Sequence, residues 1–421
     1  MNAKSLQHFL QILEVSLIIL FLLFSEAVNA SSSLMVVVKV LNYAFILIIL
    51  VRFWKKLAYV MTRDISLVIL ILIPLCSIFW SVEPSTTSRL VIAFVRTTLL
   101  GVYLATRYSL KEQMRILSWV AGLAVIINLI FCILFPSYAI GIDPNNPSEI
   151  AWAGIYKFKQ FLGRMIALTT TIFLANLLNK QSNRWLALSG LLASIALLYL
   201  SKSATYLIAF AASILLLPIF KILKQRFSSV RVILLLFIAI LVAASVTLIS
   251  MNIETIVVDV LNKDIQFNGR TPVWTYSIEK VLQRPYLGYG YAAFWESEFG
   301  ANIEKETWVG EVGIDLKYFH AHNAFLDITL QFGLIGLGVL LWNIVLVLGR
   351  VLNLISLTKT IESFWMLMFL TVQLIASMSE APTYLSIFSI YWTLDVAVAC
   401  SSALEINRIT RGFQQRDLKK N

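Results

Sequence analysis

Charge is what this chain has least of: Asp, Glu, Lys and Arg make up 14% of its 421 residues, against about 25% in an ordinary soluble protein. Hydrophobic residues reach 59% and the mean hydropathy is +0.82. With repeated apolar runs of about 18 residues or more, that scarcity excludes a soluble globular domain. Cysteine is almost absent, and Cys76, Cys132 and Cys400 all fall inside or at the end of apolar runs. Their odd number gives no disulfide framework, and they read as packing residues. No Asp-x-Asp motif occurs. The acidic pairs Glu296-Ser-Glu298 and Glu304-Lys-Glu306 read as solvated surface, so no carboxylate pair is offered to a divalent cation. Histidine is equally rare: His8, His320 and His322 are all there are.

What is present is an all-α polytopic membrane protein with about 12 transmembrane helices by a 19-residue hydropathy window. The spans are expected near 9–25, 34–52, 64–81, 90–106, 113–135, 161–179, 185–201, 203–223, 231–251, 324–348, 362–380 and 382–401. The first, after Lys4, resembles a signal peptide but reads as a retained span. The net charge of +11 is a topology signal. Arg52, Lys55, Lys56, Arg63, Arg107, Lys111, Arg115, Lys180, Arg184, Lys221 and the tail from Arg408 to Lys420 fall on one side of the alternation. The positive-inside rule assigns that side to the cytoplasm, and both termini with it. No nucleic-acid partner is implied.

The same alternation puts residues 82–89, 136–160 and 252–323 outside, all within one membrane domain. The last, between spans 9 and 10, is too long for an unstructured connection and is expected to be partly helical. Thr271 as N-cap and Pro272 at the first helical position predict a helix there. Val273, Trp274, Ile278, Val281 and Leu282 would give it an apolar face for the membrane interface. The Gly- and aromatic-rich stretch from Arg284 to Trp295 follows.

Cations gather on this outer side: Arg89, Arg96, Lys157, Lys159, Arg164, Lys202, Arg270 and Arg284. Arg89 and Arg96 are seven apart and share a helix face. Arg96 lies about 10 Å inside its span, where charge marks a substrate pathway or an ion pair. Such a set suits an anion held by guanidinium forks, with diphosphate the natural candidate; snorkelling to headgroups is the bland alternative. His322 sits where the chain re-enters the membrane, beside an otherwise uncharged helix. Asn323 could cap that helix, whose free N–H groups would add a second attraction for an anion. Neutral imidazole is a suitable general base near neutral pH, whereas His320 reads as a bystander. Gly333 and Gly338 read as sites of close helix packing. Tyr289, Tyr291 and Trp295 would stack on sugar rings or belong to an interfacial belt.

His322-Asn323-x9-Gly333-x4-Gly338 resembles the signature of the O-antigen ligase and O-antigen polymerase superfamily. Gly269-Arg270-Thr-Pro-Val-Trp274, Arg284-Pro-Tyr-Leu-Gly-Tyr-Gly290, Trp80-Ser-Val-Glu-Pro-Ser85 and Ala105-Thr-Arg-Tyr-Ser-Leu-Lys-Glu-Gln113 are similar to its ExoQ-like exopolysaccharide polymerase branch. The Lys157-Phe-Lys159-Gln160 segment matches the family pattern only loosely. The resemblance implies a GT-C-like, metal-independent and cofactor-free glycosyltransferase of the inner membrane. It would act at the periplasmic face on undecaprenyl-diphosphate-linked glycans as donor and acceptor. Membrane lipids and a chain-length regulator or flippase of the same pathway would be its partners. His322 would be the catalytic base, with Arg270 and Arg164 on the diphosphate and Arg96, Arg89, Lys202 and Arg284 around it. A ligase moving finished glycan to lipid A core or protein shares these motifs. A secondary transporter is the reading from a different class, but its repeated halves and midplane site are not evident.

Overall fold

The structure is a computed structural model that describes residues 3–26, 28, 32–143, 146–223, 270–303, 319–379, 383–387 and 389–418. It is a predominantly helical, multi-pass membrane protein. Its helices are α1 (Ala3–Leu23), α2 (Ser32–Met61), α3 (Ile65–Cys76, followed by a 3-10 turn Ser77–Phe79), α4 (Pro84–Arg107) and α5 (Leu110–Leu134). A short α6 (Pro136–Ala139) leads into an antiparallel hairpin, β1 (Ile140–Asp143) and β2 (Asn146–Trp152), with Ile140 opposite Trp152. Then come α7 (Lys159–Leu178), α8 (Arg184–Leu200), α9 (Ala204–Leu223), α10 (Arg270–Gln283), α11 (Glu298–Ala301), α12 (Ala324–Thr358), α13 (Ile361–Ser377) and α14 (Ile390–Leu418). The expected spans overlap these helices, except 231–251, which lies outside the described residues, and 382–401, of which only the part from Ile390 on is helical. Among the described residues seven helices are long and apolar enough to cross a membrane, and Ile65–Phe79, Arg184–Leu200 and Ile361–Ser377 are shorter apolar ones.

Local chemistry sets the helix ends. Asp64 accepts from Leu67 N at the head of α3, Ser109 and Glu112 form a reciprocal capping box on α5, and Asn183 caps α8. Outward positions such as Val40, Leu47, Ile48 and Val51 on α2 are exposed and apolar. Water would penalise that pattern, whereas lipid solvates it.

At the centre α7 packs against α5, α8, α9 and α13, while α4 packs against α2 and α14. Phe94 of α4 stacks on Trp392 of α14 with ring centroids 5.5 Å apart, and Trp392 Nε1 donates to Thr98 at 2.9 Å. A second, smaller core lies beside this bundle. Val273 and Tyr276 of α10 meet Tyr289, Phe294, Ile303, Phe319, Ala321 and Leu330 there. The face of α10 therefore differs from the expected one. Val273 is buried against this small core, and only Ile278 and Leu282 remain exposed apolar groups. The helix begins at Arg270 rather than after Thr271. Pro272 is tolerated because first-turn N–H groups need no intrahelical acceptor.

Candidate functional site

The span after His322 is not one helix. Gly333 has φ 63° and ψ −166°, a conformation essentially restricted to glycine, and breaks α12 into two segments. An unbroken helix would bond Leu334 N to Leu330 O and Ile335 N to Gln331 O. Here Leu334 N donates instead to Pro285 O at 2.7 Å and Ile335 N to Tyr286 O at 3.4 Å. The released carbonyls of Leu330 and Gln331 accept from Tyr289 N at 2.8 Å and Gly290 N at 2.9 Å. Each broken helical bond is thus replaced by one to the Arg284–Gly290 segment. Gly288 and Gly290, both with positive φ, let that segment approach: a Cβ on Gly288 would lie 2.4 Å from Leu330 O. Trp80 Nε1 donates to Leu287 O at 2.8 Å and Val82 N to Tyr289 O at 3.0 Å. Three motifs that are distant in sequence therefore form one interlock. Gly338 takes no part, since a Cβ there would meet nothing within 4 Å. The expected packing role is corrected for that glycine.

The interlock presents the first segment of α12, and a clamp on Ala321 sets the loop before it. Ala321 N donates to both carboxylate oxygens of Asp327 at 3.1 Å, and Ala321 O accepts from Trp274 Nε1 at 2.8 Å. Trp274 lies one turn beyond Arg270 on α10, so the clamp that fixes the histidine loop also brings Arg270 to it. His322 is held in the left-handed region, φ 51°, and its backbone N–H donates to His320 Nδ1 at 3.1 Å. The two imidazole centroids are 4.2 Å apart. His322 Nδ1 is buried and has no hydrogen-bond partner among the described residues. Burial, and then the positive charge of Arg270, push the His322 imidazole down to about 4. His320 is driven down by burial and by the charges of His322, Arg164 and Arg270. Both rings are therefore neutral at pH 7.

This has a measurable consequence. The unfolded chain protonates its histidines near 6.5, whereas folded His322 resists to about 4. Between those values the unfolded state binds more protons, so stability falls as pH falls. The wild-type protein in detergent is expected to lose more thermal stability from pH 7 to pH 5 than a His322→Ala variant does. Equal losses would show that this imidazole titrates normally in the folded state.

Other expected site residues are distributed as follows. Arg164, buried in α7, has Nη1 3.1 Å from Glu26 Oε2 and Nε 3.1 Å from the Tyr206 hydroxyl. Its charge acts on His320. Arg96 is buried elsewhere, with its guanidinium 4.6 Å from the Tyr43 ring centre. It lines a cavity of about 50 Å³ with Lys39, Asn42, Thr97 and Ser389. Arg89 is exposed and 3.6 Å from Glu296, Lys202 is 3.7 Å from Glu149, and Arg284 lies over the Tyr289 and Phe299 rings. Tyr289 and Tyr291 are corrected from sugar-stacking to packing residues. Both rings are buried, and their hydroxyls donate to Lys280 O and Leu385 O at 2.9 and 2.7 Å. Trp295 Nε1 donates to Asp327 Oδ1 at 2.9 Å. Two of the N-terminal amides of α12 are taken as well: Phe325 N and Leu326 N both donate to Asn323 Oδ1. They do not form the open anion site expected.

Asp327 and Glu26 were not foreseen. A carboxylate one turn into an apolar run was the available signal for Asp327, in a helix the hydropathy reading treats as uncharged. For Glu26 it was an acidic residue at the end of the first apolar run. His320, read as a bystander, proves to brace the His322 backbone.

With this geometry in view, residues 189–341 match the family model described as O-antigen ligase. The matched segment contains Arg270, the Arg284–Gly290 loop, His322 and the Gly333 break, so it spans the clamp and all of the interlock but its Trp80–Val82 arm. Over this segment the chain matches the O-antigen ligase family. It is also 30% identical over 300 residues to the exopolysaccharide production protein ExoQ of Rhizobium meliloti. The alignment covers 68% of this chain and 65% of that relative, so the chain matches just under two thirds of the relative's length. Arg164 and Glu26 fall outside the O-antigen ligase segment.

Proposed function

We propose that this protein is an inverting, metal-independent glycosyltransferase of the O-antigen ligase family. It joins undecaprenyl-diphosphate-linked oligosaccharide repeats into longer chains at the periplasmic face of the inner membrane, with both its termini in the cytoplasm. The acceptor hydroxyl oxygen attacks the anomeric carbon of the donor as the carbon–oxygen bond to the diphosphate breaks. The diphosphate leaves with the bonding electron pair, and the hydroxyl proton passes to His322. Arg270 and Arg164 offset the charge that grows on the leaving group, with Arg96, Arg89, Lys202 and Arg284 as the outer cations of the path. Diphosphate is already a good leaving group, so one base and fixed cations are sufficient chemistry.

The observation that carries this reading is the neutral, half-buried His322 imidazole, whose Nδ1 has no partner among the described residues and which feels the charge of Arg270. Similarity to the exopolysaccharide production protein favours polymerisation. The O-antigen ligase match favours transfer of finished glycan to lipid A core or protein as the second reading. The glycan profile of a deletion strain separates them: single unpolymerised repeats support the polymerase, and long unattached lipid-linked chains support the ligase. Arg270→Lys is expected to cut transfer by about 100-fold or more, because a point charge cannot reproduce a guanidinium fork. Near-normal transfer in membranes carrying this variant would show that charge alone is enough.

A further inference from the structure

Glu26 lies in the connector between α1 and α2 and is 1% exposed. Burying a carboxylate so completely is costly unless every oxygen is occupied, and here both are. Oε2 meets Arg164 Nη1 at 3.1 Å, while Oε1 accepts from the Ser389 hydroxyl and from Ile390 N, each at 3.4 Å, at the head of α14. The connector is itself pinned, because Val28 pairs as an isolated β-bridge with Tyr156. Tyr391 donates to Arg164 O at 2.9 Å, which joins α14 to α7 at the same point.

This carboxylate thus has two independent holds. One is the guanidinium assigned above to the lipid diphosphate; the other is a helix N-terminus, which stabilises negative charge on its own. We propose that Glu26 is the resting partner of Arg164: the lipid diphosphate displaces it on binding, and it reclaims the guanidinium as the diphosphate product leaves. The inference rests on the assignment of Arg164 to that anion. When Arg164 turns to the substrate, Oε1 keeps its contacts with Ser389 and Ile390. Burial pushes the Glu26 carboxyl above its usual range, so a proton can take the place of the departed cation. Without such a competitor, two guanidiniums in a water-poor site would hold the released lipid diphosphate and slow each cycle. Glu26 is therefore a positioning residue that tempers anion affinity.

The test uses the full-length protein in detergent with undecaprenyl diphosphate as probe. Glu26→Gln keeps the shape and an oxygen for Ser389 and Ile390 but removes the competing charge. It is expected to bind the probe about tenfold more tightly, with lower turnover and stronger inhibition by added undecaprenyl diphosphate. Unchanged or weaker binding in a monodisperse Glu26→Gln protein would overturn the inference. If that variant does not fold, Glu26→Asp serves. It keeps the charge one methylene further from Arg164, so binding should tighten by a smaller factor, and wild-type affinity would overturn the inference equally. Arg164→Lys separates the two levels. Wild-type affinity there would remove Arg164 from the anion site altogether. Loss of affinity there, with no change in Glu26→Gln, would defeat the role of Glu26 alone.

Discussion

His322→Ala is expected to abolish chain extension, with a loss of about 10²–10⁴-fold or more in transfer rate, while the protein stays folded in the membrane. The fold has little to lose, because His322 Nδ1 makes no hydrogen bond among the described residues and its backbone contact to His320 survives the substitution. The left-handed backbone at this position, which histidine tolerates better than most residues, adds only a modest strain to the alanine variant. Affinity for the lipid diphosphate should change little, since the guanidiniums remain. Chains of wild-type length in membranes containing His322→Ala would remove the imidazole from the chemistry. The same assignment sets the pH response. Free enzyme should show no loss near 6.5, because the ring is neutral down to about 4. A bound diphosphate offsets the field of Arg270, so the acid limb of kcat should lie above that of kcat/KM, and donor binding would itself strengthen the base.

Gly333→Ala is the second substitution with a large expected effect, and it acts on architecture. A Cβ at Gly333 would lie 2.2 Å from the backbone carbonyl of Tyr286. The backbone conformation there, φ 63° and ψ −166°, excludes side chains as well. Strain of this kind is on the order of 3 kcal/mol before any clash is counted. The interlock cannot form around it, so both the Arg284–Gly290 loop and the first segment of α12 lose their register, and His322 and Arg270 are no longer held together. A lower melting temperature in detergent and loss of polymer are expected together. Gly338→Ala, five residues on, has open space. It should be neutral or stabilising by about 0.5–1 kcal/mol through helix propensity. Equal behaviour of the two variants would contradict the interlock.

Much of this architecture was legible in the sequence, because apolar periodicity and the distribution of Lys and Arg report directly on membrane helices. The histidine, Arg270 and the glycine spacing were legible too. What the glycines do was not. Hydropathy cannot distinguish a continuous helix from one broken at Gly333, since both bury the same side chains. The hydrogen bonds that replace the broken ones come from Pro285, Tyr286, Tyr289 and Gly290, which are distant in sequence. Aromatic residues misled for a related reason. Tyr289 and Tyr291 look available when read as loop residues, yet Tyr289 is buried in the second small core and Tyr291 in the main one. Glu26 and Asp327 escaped notice because a carboxylate's role depends on its partner, here Arg164 and Ala321, and the pairing appears only in three dimensions.

The most direct trial is transfer by the purified chain in detergent, supplied only with the lipid-diphosphate-linked repeat unit and a metal chelator. The account predicts a ladder of longer lipid-linked glycans and one undecaprenyl diphosphate released for each new linkage. It is contradicted if no ladder forms with folded protein, or if extension begins only when a divalent cation or a nucleotide sugar is added.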